Sequence, residues 1–202
     1  MEITENLNKA VNEIVEMIVN VIGQGSREIH TTEAISSTAR LAGSYLFRSF
    51  GFEINDAKPG TAMLSEEANT KGPQLVNMTQ AVLQNFGIQI DNNKMSNRNK
   101  KQAESNFIKV IDKIQKPALE IMNNNNNKLS YEKMAQSSAI ATAFIIQQSN
   151  NISPEEGFGT AIYHYIEGTK THPPEFGKKT EHKSESKDLK KEIESKPWWK
   201  FW

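Results

Sequence analysis

One stretch of this chain is written twice. Leu46-Phe47-Arg48-Ser49-Phe50-Gly51-Phe52-Glu53-Ile54-Asn55-Asp56-Ala57-Lys58 recurs as Val82-Leu83-Gln84-Asn85-Phe86-Gly87-Ile88-Gln89-Ile90-Asp91-Asn92-Asn93-Lys94. Each copy reads as the end of an amphipathic helix, a glycine, and then an apolar–polar–apolar triplet. Glycine ends a helix easily because it enters the left-handed conformation without a Cβ clash. The triplet suits a short extended segment with two side chains on one face. The repeat (46–58 and 82–94) therefore predicts two helix ends, and Phe52–Ile54 paired with Ile88–Ile90 as a minimal two-stranded ribbon.

Helical spacing accounts for most of the remaining apolar residues. Residues 3–22 place Ile3, Leu7, Val11, Ile14, Val15, Ile18, Val21 and Ile22 along one stripe, which suits either a domain core or a second copy of the same helix. A helix from Thr32 to Phe50, capped by Thr31 or Thr32, is rich in Ala, Ser and Gly, so that others can cross it closely. Ser65 before Glu66 and Glu67 starts a third helix, which Gly72-Pro73 is expected to break or kink, with Pro73 in the first turn of the next. Ser96 opens a fourth that runs to about Gln115, where Pro117 kinks or restarts it. Five asparagines, 123–127, read as a linker. Ser130 opens a fifth helix, and Ser153-Pro154-Glu155-Glu156 opens a sixth that ends near Gly168. The expectation is an all-α fold: a single domain of about six helices over 1–168, with at most a minor two-stranded β element, followed by a disordered tail over 169–202.

Composition narrows the function classes. Lys plus Arg and Asp plus Glu both number 24 in the 202 residues, a formal net charge of zero. Such a chain is poorly suited to sequence-independent nucleic-acid binding, which depends on neutralising phosphates. The absence of cysteine excludes disulfides, thiolate metal sites and a cysteine nucleophile. Acidic Glu2 and Glu5 stand where a signal peptide would carry positive charge, and no run of roughly 18 apolar residues occurs. These features predict a soluble cytoplasmic protein, peripheral at a membrane if its tail docks there.

Few residues suggest chemistry. Each histidine is followed three positions later by glutamate: His30/Glu33, His164/Glu167, His172/Glu175 and His182/Glu185. That spacing shares a helix face, but di-metal bundles use the opposite order with further inward glutamates. No metal and no cofactor is expected. No phosphate loop, nucleophile elbow or HExxH motif occurs, so no catalytic set is defined. Asp56, Glu66, Glu67, Asn69 and Lys71, in the polar connector 56–73, are the residues an enzyme or small-ligand reading would use.

The tail ends differently. All three tryptophans fall in Lys196-Pro197-Trp198-Trp199-Lys200-Phe201-Trp202, and tryptophan favours binding hot spots and membrane interfaces. Trp198, Trp199, Lys200, Phe201 and Trp202 are therefore expected to dock on a partner protein or membrane surface. The expected function is that of a non-enzymatic interaction or adaptor protein. A homodimer is a further expectation, resting on the apolar stripe of the first helix.

Overall fold

The computed structural model describes residues 5–23, 30–54, 56–95, 106–124 and 127–177. Among these the fold is all-α: α1 (Glu5–Ile22), α2 (Thr31–Ser49), α3 (Glu66–Asn85), a 3-10 turn (Asn92–Lys94), α4 (Phe107–Asn123), α5 (Tyr131–Gln148) and α6 (Pro154–Thr169). No described helix is long and apolar enough to cross a membrane.

The helix starts follow the capping chemistry of their sequences. Ser65, Asn106, Ser130 and Ser153 each accept a hydrogen bond from a first-turn backbone amide, and Glu156 returns the favour at Ser153 to close a capping box. Two starts depart from expectation. His30, not a threonine, occupies the N-cap of α2 and makes no side-chain cap bond, because Thr31 donates its hydroxyl to Asn151 instead, at 2.7 Å. The fourth helix starts at Phe107, and Ser96 lies outside the described residues.

Neither internal proline breaks its helix. Pro73 sits within α3 and Pro117 within α4. A proline removes one hydrogen bond to the carbonyl four residues back. Here those residues are Asn69 and Lys113, both exposed, so water can take the vacated acceptor.

The core forms around α2, which is buried from Ala34 to Phe47. Helices α5 and α6 pack along it, α3 bridges those two, and α1 and α4 close the other side. Several of its buried groups are small hydroxyls that cost little, since they bond the preceding turn of their own helix. Thr38 donates to the Ala34 carbonyl at 2.7 Å, Ser138 to Met134 at 2.9 Å and Thr142 to Ser138 at 2.8 Å. Part of the α1 stripe enters this core: Leu7, Val11, Ile14 and Ile18 are buried, while Val15, Val21 and Ile22 are half-buried.

The helices α2 and α6 meet backbone to backbone. A Cβ added at Gly43 would lie 2.7 Å from the Thr169 amide, and one at Gly168 would lie 2.7 Å from the Arg40 carbonyl. The sixth helix does end near Gly168, at Thr169, and Gly168 serves as the crossing point as well.

Two expectations are corrected. Phe52–Ile54 and Ile88–Ile90 do not pair, and no strand occurs among the described residues. The glycines before them do end helices, with φ of +67° at Gly51 and +77° at Gly87, and Ile88 returns its amide to Leu83 at 3.0 Å. The apolar residues that follow fold back locally. Phe52 packs 5.4 Å from both Phe47 and Phe50, and Ile88 and Ile90 lie against the core. The one β-bridge among the described residues is antiparallel, between Ala62 and Thr171.

The second correction concerns the domain end. Residues 169–177, expected to be disordered tail, are folded onto the domain, with His172, Pro173 and Pro174 buried. Residues 178–202 lie outside the described residues.

The α2–α6 crossing generates a test. Gly43→Ala pushes a methyl into backbone that has no slack, so it is expected to cost about 1–3 kcal/mol. For a chain of this size that is roughly 2–4 °C of thermal midpoint per kcal/mol, readable by circular dichroism. An unchanged midpoint would show that the two helices do not approach this closely.

Candidate functional site

Two polar clusters organise the surface of α2. The first joins it to α6. As the i, i+3 spacing requires, His164 and Glu167 share a face, and His164 Nδ1 lies 2.8 Å from Glu167 Oε2. Arg40, from α2, donates its Nε to the same oxygen at 2.7 Å. Sequence reasoning found the His–Glu pair but missed Arg40, which lies 127 residues away and carries no local signal.

The electrostatics of this triad are set by burial and pairing. Burial raises the Glu167 pKa, but the His164 hydrogen bond and the Arg40 guanidinium outweigh it and leave the carboxyl below its ordinary value. For His164 burial is the largest effect and lowers its pKa. An ionised Glu167 accepts, so the neutral imidazole donates from Nδ1 and Nε2 is left as the acceptor. That Nε2 is buried without a partner, and Tyr163 stands edge-on against the ring at 4.9 Å. With His164 only 2% exposed, the arrangement acts as a clamp between two helices and offers a substrate no approach. Among the described residues, no group of three or more His, Asp or Glu is gathered to hold a metal ion.

The second cluster holds the segment after α6. Around the Ala62–Thr171 bridge, Met63 donates its amide to Lys170 at 2.7 Å, His172 to Thr61 at 2.9 Å and Gly60 to His172 at 2.8 Å. The chain then crosses the end of α2. Arg48 donates from Nη2 to the Pro174 carbonyl and to Gln115 Oε1, the latter at 3.1 Å. Its guanidinium lies 4.0 Å from the centroid of the Phe176 ring, a cation–π contact strengthened by desolvation. Phe176 also packs on Tyr45 and Tyr131, and His172 stacks on Phe47. Burial lowers the Arg48 pKa, yet the group stays charged, since arginine does not deprotonate in proteins.

The residues nominated from sequence fare differently. Trp198, Trp199, Lys200, Phe201 and Trp202 lie outside the described residues. Asp56, Glu66, Glu67 and Asn69 are exposed, the two glutamates in the first turn of α3 beside its positive dipole end. Lys71 is half-buried, with Nζ 6.0 Å from the Phe50 ring centroid. It lines a small cavity with Gln74, Met78, Glu132 and Gln136, which includes none of the other four.

The triad gives stability a pH dependence of fixed sign. The folded-state pKa values of both His164 and Glu167 are depressed, so the unfolded chain binds protons more readily. Stability is present above the unfolded values and is lost as pH falls, first below about 6.5 for the histidine and then through the carboxylate range. The urea midpoint is expected to drop between about pH 7.5 and 5.5, and His164→Gln should flatten that slope. An equally steep slope in the variant would remove His164 as its cause. No protein-family model, no curated protein and no solved structure matches this chain.

Proposed function

We propose that the protein is a non-enzymatic interaction protein: a helical domain that presents residues 178–202 as a tether, whose aromatic end docks on a partner protein or a membrane surface. The observation that carries this reading is the placement of tryptophan. All three tryptophans lie within residues 198–202, interleaved with Lys200 and Phe201, whereas the described core is built without any. Two further features support it. Residues 169–202 hold nine Lys against six acids, a charge of +3 that favours anionic surfaces. The anchoring of His172, Pro174 and Phe176 on Phe47 and Arg48 supports a folded domain that continues to residue 177, ahead of the proposed tether.

Deleting residues 197–202 is expected to leave the thermal midpoint unchanged, because the described core is built without tryptophan, while abolishing attachment. Aromatic anchors of this kind are worth roughly 2 kcal/mol or more each, so the loss should exceed 100-fold. Since every tryptophan reports from this segment, emission should shift to the blue on adding vesicles of mixed phosphatidylserine and phosphatidylcholine, or on forming a protein complex captured by crosslinking at residue 198. A response to vesicles alone identifies the membrane; crosslinked complex without it identifies a protein. Emission already blue-shifted in the isolated monomer, and unmoved by either, would overturn the reading.

A further inference from the structure

Between α3 and α6 lies a cavity of about 230 Å3. The sequence makes it. Ala68 and Gly72 are spaced i, i+4 on the buried side of α3, and both are too small to fill the gap to Ile162 and Ile166 of α6. Val76 and the Pro73 ring extend the wall. Tyr165 closes it from α6, held in place because its hydroxyl is 2.6 Å from Thr79 Oγ1. No lining residue carries a charge.

One polar group breaks the apolar lining from inside the fold. Thr169 lines the cavity, is 2% exposed, and its Oγ1 has no hydrogen-bond partner. A buried hydroxyl without a partner is rare in a native core and calls for one. Thr169 cannot swing away to find it, since its backbone is pressed against Gly43 of α2. Asn77 adds a second polar group, and it is exposed.

We propose that this cavity is a binding site for a small uncharged fused-ring aromatic molecule carrying one N–H or O–H, which donates to Thr169 Oγ1. Size sets the ring count: an apolar cavity of about 150 Å3 accepts a single benzene, and this one has room for one ring more. The lining sets the charge, because an ion would find no counter-charge and would lose its hydration. The hydroxyl sets the polar group. With no partner inside the fold, its two lone pairs are open to accept. The site uses the apolar side of the 56–73 connector and its helix.

The test is methyl NMR of the full chain, following Val76, Ile162 and Ile166 during titration with indole and with benzothiophene, its isostere lacking the N–H. Saturable shifts of these three methyls by indole are expected. Thr169→Val should weaken indole roughly fivefold, the worth of one net hydrogen bond, and leave benzothiophene unaffected. Ala68→Leu should abolish both; Val76→Phe, at a half-buried position, serves the same purpose if that variant fails to fold. Shifts that do not saturate, or that survive the filled cavity, would overturn the site. Indole binding unchanged in Thr169→Val would overturn the polar contact. Shifts seen only after removal of residues 197–202 would show that the cavity holds the chain's own tryptophan, which would overturn the free-ligand assignment.

Discussion

The structure depends on two glycines in contact. Packed helices ordinarily stand about 8–10 Å apart, held off by their side chains, and at Gly43 and Gly168 there are none. The backbones of α2 and α6 therefore touch, with Gly168 against the Arg40 carbonyl and Gly43 against Thr169. Several later features follow from that approach. It puts Glu167 within reach of Arg40, places Thr169 over the middle of α2, and starts the segment 170–176 at the height from which it can cross Phe47 and Arg48. A bulkier residue at either position would displace all of these together.

The core resolves a low hydrophobic content by two different devices. Several of its hydroxyls, those of Thr38, Ser138 and Thr142 among them, are satisfied within their own helices, so burying them leaves those groups paired. Its two arginines on α2 cannot be treated that way, and each is met differently. Arg40 shares a carboxylate oxygen with a neutral histidine. Arg48 is met by a side-chain amide, a backbone carbonyl and an aromatic face. The planar, weakly hydrated guanidinium is suited to that mixture, and lysine would not be.

Local chemistry was legible in the sequence, and long-range chemistry was not. Ser65, Ser130 and Ser153 announced their helices because a cap acts over three residues. Gly51 and Gly87 announced helix ends for the same reason. The triplets after those glycines misled, since three alternating residues are served equally by pairing with a strand or by folding back on the preceding helix, and Phe52 does the latter. Pro73 and Pro117 left open whether their helices would break, because that depends on the exposure of the carbonyl four residues back, and both helices continue. The segment 169–177 was hidden by the Lys/Glu/Ser composition that follows it, although Pro173, Pro174 and Phe176 were an apolar signal within it. Of the candidate site residues, the connector was placed on a helix start correctly. Arg40 and Arg48 were missed because their partners lie 127 and 126 residues away.

Those separations carry a consequence for biosynthesis. The central helix is made early, while the residues that cover its most intimate face are the last of the described chain. At about 5–20 residues per second, the interval between Arg40 and Glu167 takes roughly 6–25 s on the ribosome. Throughout it the Arg40 guanidinium and the Gly43 surface of α2 lack their native neighbours from α6, and no local contact can substitute for a crossing that requires Gly168. Closure of such distant pairs costs loop entropy before any packing is gained. The domain is thus obliged to fold after most of it has been synthesised, with α6 and the strand of chain behind it arriving as the closing piece.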